Sequence, residues 1–361
     1  MILTKENLLC NIGFYIILVN IIIMIIGIFI FKYNDYNILS KKIDFLMKII
    51  YKEEKIENSK QESKLKIINM SKNFQNNKNN IKNANPRKKS ITKKNKNNSA
   101  SFKSVDKLIK FKDNKNKNKK IFNLEEQLCQ KFDNEMNFLR YEDAMKLDKR
   151  TYCEYYLSLI KQKHLIIFTF FQKEDFNSLI IKICFFCFIF VLTLVVNTLF
   201  INDETFHNLF ILKGSFDFIF HFPNILYSTF ICYFLKKIFH WLIFTEMDVL
   251  TIKENSGVNK SIKLNRIYVT IYLKYILFFS VGILFLLLFW IYITCFCAIF
   301  KHTQIFIIKI TFISFAIFLL IPFITNLIPP IFRIKSLKKG TNKNKENTIL
   351  YKFSKIIQVI V

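Results

Sequence analysis

Glycine and proline are scarce, at 6 and 5 among 361 residues. Glycine lets a backbone close tightly around a phosphate, and β turns draw on both residue types. The shortage disfavours a glycine-rich phosphate cradle and a turn-rich β architecture. Acids are also few: 26 Asp and Glu stand against 54 Lys and Arg, for a net charge of +28. The apolar runs hold almost no carboxylate, apart from Asp217 at an edge. Coupled carriers place ionisable groups at membrane depth, so this lack argues against a proton- or cation-driven carrier. None of the five His pairs with Glu or His at metalloprotease spacing. Neither a Gly-x-Ser-x-Gly elbow nor a P-loop nor a kinase signature is present.

What the chain does have is apolar bulk. Hydrophobic residues make up 52%, with 42 Phe. High apolar content beside high charge implies segregation into runs for lipid and runs for water. The runs are Leu8 to Phe31, Leu179 to Ile201, about Phe218 to Leu235, Tyr275 to Ala298, and Ile310 to about Ile328. A helix needs roughly 20 such residues to span a bilayer, and lipid offers nothing to a free backbone group. The runs do not alternate, unlike barrel strands. The first exceeds a signal-peptide core and lacks an Ala-x-Ala site, so an uncleaved signal anchor is expected. The reading is an all-α, multi-pass helical membrane protein with about five transmembrane helices and a long, basic, partly disordered cytoplasmic loop.

Basic flanks set the orientation. Lys32, Lys41 and Lys42 follow the first run, whereas only Lys5 precedes it. The N-terminus is expected outside. Lys236 and Lys237, then Lys263, Arg266 and Lys274, then Arg333, Lys335, Lys338 and Lys339 fall inside. Lys301 and Lys309 are the exceptions in an outer turn. Extending the third run toward Phe244 would bury Lys236 and Lys237 in lipid, which costs several kcal/mol. Lys182 and Lys274 sit at span ends, where they can snorkel.

The expected organisation is a signal-anchor helix at 1–31, a juxtamembrane amphipathic helix within 32–70 and a Lys/Asn-rich disordered linker at 71–120. Cytoplasmic amphipathic and interfacial helices follow at 121–177, then a four-helix membrane region at 178–335 and a cytoplasmic tail at 336–361. Leu39, Ile43, Leu46 and Ile50 recur at helical spacing, as an interfacial helix or a dimer seam would. Leu124, Leu128, Phe132, Met136 and Leu139 predict an acidic amphipathic helix. The linker is too polar to offset its ordering entropy. Its Arg87, Lys88, Lys89, Lys93 and Lys94 are candidates for attraction to anionic lipid headgroups, each contributing about 1 kcal/mol near the surface. Without interleaved aromatics, it is not expected to bind nucleic acid.

The string Asp148-Lys149-Arg150-Thr151-Tyr152, Tyr155-Tyr156, Ser158-Leu159-Ile160-Lys161 and Lys163-His164 stands out, as do Asn197-Thr198-Leu199-Phe200, Gly214-Ser215-Phe216, Thr303-Gln304, Pro322 and Phe332-Arg333. Over about residues 140–361 the chain resembles an uncharacterised family of multi-pass transmembrane proteins of ciliate protists. The resemblance implies a membrane module and assigns no activity.

Three functions follow in order. The first is a non-enzymatic anchor or scaffold, with the bilayer, protein partners or a second copy as its partners and no cofactor. The second is a channel or transporter subunit with Asn20, Asn197 and Asn326 as polar residues at membrane depth. The third is a lipid-acting enzyme resting on His207 and Asp203. Cys184-Phe185-Phe186-Cys187 and Cys295/Cys297 are read as apolar packing, since span two offers no His for zinc and near neighbours on a helix bridge poorly.

Overall fold

The computed structural model describes residues 11–44, 48, 136–172, 175–201, 203–211, 217–245, 248–249, 260–338 and 344–360. Apart from Lys48 these belong to one compact unit, residues 1–44 and 133–361. The linker at 71–120, with Arg87, Lys88, Lys89, Lys93 and Lys94, lies outside the described residues. The elements are α1 (Ile12–Ile30), α2 (Tyr141–Leu147), α3 (Tyr152–Lys163), α4 (Leu179–Leu199), α5 (Asp203–Ile211), α6 (Phe218–Ile243), α7 (Lys260–Ile299), α8 (Gln304–Thr325), α9 (Ile328–Lys338) and α10 (Asn344–Ile360). No strand occurs among the described residues. Among the described residues five helices are long and apolar enough to cross a membrane: α1, α4, α6, α7 and the α8–α9 stretch.

α4 is the central post. It packs against α1, α6, α7 and α8, and its most apolar window is 67% buried. A helix apolar on every side must be covered on every side. The outer helices bury one face and expose the other. Val19, Ile26 and Phe29 of α1, Phe230 and Phe234 of α6, Leu284 and Leu288 of α7, and Phe312 and Leu320 of α8 all point outward. In water such a ring would cost about 25 cal/mol per Å². Lipid removes that cost.

The helix ends gather in two layers. At one, Asn11 caps α1 by accepting from Phe14 N at 2.9 Å while its Nδ2 donates to Thr294 O at 2.9 Å. Ile12 N donates to Gln304 Oε1 at 2.8 Å, so the starts of α1 and α8 meet the end of α7. At the other end, Ser178 Oγ donates to Asp35 Oδ2 at 2.7 Å and Thr245 N to Asn177 Oδ1 at 2.8 Å. These bonds fix the alternating directions of the helices.

Two glycines permit the closest crossings. A Cβ on Gly27 would fall 2.4 Å from Cys184 Sγ, and one on Gly13 would fall 2.4 Å from Ile293 Cγ2. Without a hydrophobic driving force between helices, close backbone approach supplies the packing. Gly27→Leu should therefore lower stability by about 1–3 kcal/mol through overpacking. A thermal midpoint in detergent equal to the wild type's would contradict this α1–α4 contact.

Several boundaries differ from expectation. The first span continues through a π-helical segment, Phe31–Asp35, to Asp44. Leu39 and Ile43 are buried there, and Tyr268 OH of α7 donates to Asp44 Oδ1 at 2.8 Å, so this extension has a partner within the chain. Leu46 and Ile50 lie outside the described residues. α7 has 40 residues, about 60 Å at 1.5 Å per residue, twice the hydrocarbon thickness. Of the amphipathic helix expected over Leu124 to Leu139, only Met136 to Leu139 are described; 137–140 are not helical, and α2 begins at Tyr141. Tertiary bonds hold the chain there: Arg333 donates to the carbonyls of Met136 and Asn137. α8 ends at Thr325, and a turn at Asn326–Leu327 leads to α9, whose first turn holds Pro329 and Pro330. There their missing N–H groups leave no helix bond unmade.

Candidate functional site

α6 runs on to Ile243, beyond the expected end near Leu235, and carries Lys236 and Lys237 with it. Neither sits bare in lipid. Lys236 is 4% exposed, and its Nζ donates to Lys163 O at 2.6 Å. The ammonium also lies 5.4 Å from the Tyr233 ring centre and 5.6 Å from that of Phe318. Lys237 lies 5.3 Å from the Tyr233 ring centre. Carbonyl oxygen and aromatic faces replace part of the lost water.

Lys163 arrives from the end of α3. That helix begins with a capping box, in which Thr151 and Glu154 satisfy one another's backbone N–H groups. Lys163 Nζ donates to Gln358 O of α10. Burial, reinforced by the charges of Lys237 and Lys236, pushes the Lys163 ammonium down to about 7. Among the described residues none of these three lysines has a carboxylate partner.

Between these groups lies a cavity of about 420 Å³. Among the described residues its lining holds four lysines, including Lys355, and no carboxylate. Tyr233, Trp241, Phe244 and Val359 give it apolar walls. Gln162, only 4% exposed, also lines it, and its Nε2 has no hydrogen-bond partner among the described residues. The same holds for Nε2 of His240. The cavity is thus rich in donors beside an apolar wall, a combination suited to an anion with an apolar tail.

An arginine lock holds the wall. Arg333 of α9 donates to Asp148 Oδ2 from Nε at 3.0 Å and from a terminal nitrogen at 2.8 Å. Arg150 donates to the same carboxylate at 2.8 and 2.9 Å. The Arg333 and Asp148 side chains are 1% and 3% exposed. Arg333 lies between Tyr155 of α3 and Tyr351 of α10, 4.7 and 4.9 Å from their ring centres. Tyr155 OH then donates to Gln358 at 3.0 Å, and Lys355 Nζ donates to Phe138 O at 3.0 Å. The lock therefore fixes α3, α9 and α10 around the cavity mouth.

The three asparagines proposed for membrane depth do not converge by hydrogen bonding. Asn20 Nδ2 donates to Ile16 O at 2.8 Å within α1, and Asn326 Nδ2, in the turn after α8, donates back to Pro322 O at 2.7 Å. Asn197 Oδ1 accepts from Ser228 Oγ at 2.5 Å, and Ser314 Oγ lies 3.2 Å from Ser228 and 3.0 Å from Thr229. This cluster joins α4, α6 and α8. Such interhelical bonds contribute about 0.6 kcal/mol each. His207 is exposed on α5, and the side chain of Asp203 lies outside the described residues. Cys184, Cys187, Cys295 and Cys297 are all free thiols. Lys182 does not snorkel; it is buried against Asp175 at 2.9 Å. Lys274 meets Asp248 at 2.6 Å.

In the sequence Lys236 and Lys237 read as flanking charges and Lys163 as part of the block that begins at Asp148, while no motif singles out Gln162 or His240. One signal was available: Tyr233, Lys236 or Lys237, His240 and Phe244 repeat at three- and four-residue steps on one face of α6. The partners from α3 and α10 carry no such mark. No family model, curated protein or solved structure matches the chain.

Proposed function

We propose that this protein is a non-enzymatic membrane anchor or scaffold whose basic end faces the cytoplasm and holds to anionic lipid. The outward apolar ring on five helices carries this reading, because only lipid accommodates it. Lys163, Lys236, Lys237, Arg150 and Arg333 cluster at one end of the bundle, and cytoplasmic ends of membrane helices carry such an excess. α10 lies at that end. It turns Ile349, Phe353, Ile356 and Ile360 outward along one face, as a helix resting in the headgroup layer does. The linker with Arg87, Lys88, Lys89, Lys93 and Lys94 adds attraction to the same leaflet.

Protease added to sealed microsomes is expected to remove an epitope at Val361 and spare one at Met1. The protein should remain in the pellet after carbonate washing. Release into the supernatant would sink the anchor reading. The opposite epitope pattern would reverse the orientation.

A further inference from the structure

The cavity at the end of α6 has a chemistry that mere attraction to a charged surface does not need. Surface attraction calls for exposed lysines. Here Lys236 is buried, Lys163 is partly so, and both approach the cavity from packed helices. Among the described residues the lining offers donors from Lys163, Lys236, Lys237 and Gln162 but no carboxylate. Trp241 and Val359, which line the cavity's apolar side, are 63% and 81% exposed, and Trp241 continues the exposed face of α6 that holds Phe234 and Ile238. A charged group held by the lysines would therefore have its apolar tail directed into the acyl layer. A volume of about 420 Å³ is within the range of small-ligand sites.

We propose that this cavity binds one anionic phospholipid, its phosphate held by Lys163, Lys236 and Lys237 and its acyl chain lying against Trp241 and Val359. The proposal rests on the membrane reading above and adds a stoichiometric site to it. Basic pockets between helices at the cytoplasmic side suit phosphate headgroups, and charge-assisted bonds to phosphate are the strong ones. Phosphate also supplies the acceptor that Gln162 Nε2 lacks.

The test uses the delipidated full chain in detergent, with bound lipid counted by native mass spectrometry. Phosphatidic acid, phosphatidylcholine and inorganic phosphate are the probes. One phosphatidic acid per chain is expected, retained in preference to phosphatidylcholine. Lys163→Gln with Lys236→Met should weaken it by about tenfold or more. If that pair fails to fold, Lys237→Gln, nearer the rim, should give a smaller loss in a folded protein. Neutralising Arg87, Lys88, Lys89, Lys93 and Lys94 should leave the bound lipid in place and weaken only association with anionic vesicles. Equal retention of both lipids would overturn the site. So would inorganic phosphate binding equally tightly without lipid preference. Either result would leave the carbonate-wash test of the anchor reading untouched.

Discussion

Arg333→Met is expected to destabilise the protein by about 3–5 kcal/mol, the combined loss of its charge-assisted bonds to a buried carboxylate and of the donor to two carbonyls. Asp148 would keep Arg150 alone, and the carbonyls of Met136 and Asn137 would lose a donor. Tyr155 and Tyr351 would lose the cation between them. The effect should concentrate at the basic end. Hydrogen exchange is expected to rise in α2, α3 and α10 before it rises in α4. Uniform acceleration, or none, would refute the lock.

The same lock carries a pH signature. Burial alone raises the pKa of Asp148, but hydrogen bonds and charges from Arg150 and Arg333 more than cancel that rise, and the net shift is below 3.8. A carboxyl with a depressed folded pKa contributes stability above its unfolded value and loses it as pH falls through the folded one. The wild type should lose this stability on acidification below about pH 4, whereas Asp148→Asn should lack that component. Melts in detergent between pH 7 and pH 3 would measure the difference.

Lys182→Met should have an effect of similar size for a different reason. Lys182 and Asp175 are each 1% exposed and 2.9 Å apart, and Lys182 Nζ also donates to Gln172 O at 2.6 Å. Removing the lysine leaves a carboxylate in the interior, at a cost of about 3–5 kcal/mol. Here burial dominates: the Asp175 carboxyl is pushed up despite Lys182, Asn177 and Lys42. A raised folded pKa contributes stability at low pH that is lost as pH rises through it, the reverse of Asp148. The pair is therefore costly at neutral pH. Asp175→Leu with Lys182→Met should recover most of the loss, because a buried pair can be exchanged for apolar side chains without penalty. Asp148→Leu with Arg333→Met should recover less, because Arg150 would lose the carboxylate that accepts two of its hydrogen bonds. Equal recovery in both double variants, or recovery in neither, would refute this contrast between the two pairs.

The membrane spans were legible because their signal is local. Uninterrupted apolar runs such as Leu179 to Ile201 have few alternatives to a helix in lipid, and α4 occupies nearly that range. The basic flanks were equally plain. Harder to read were positions where a charge stays inside the protein. From sequence, Lys236 and Lys182 looked like charges that must reach water. In the fold, Lys163 O and Asp175 hold them. The string from Asp148 to Tyr156 stood out as a block, yet its partner Arg333 lies 185 positions away from Asp148.

By itself, the sequence determined the all-α class, the number of long apolar helices and the gathering of charge at their flanks. These depend on composition within a run, and a run's free energy in lipid is summed over its own residues. Only the tertiary structure decided that α4 is the central post, that Arg333 closes on Asp148, and that donors from α3, α6 and α10 line one cavity with no acid among its described residues. Each of these depends on which helix lies beside which, and that is set by packing between segments far apart in the chain.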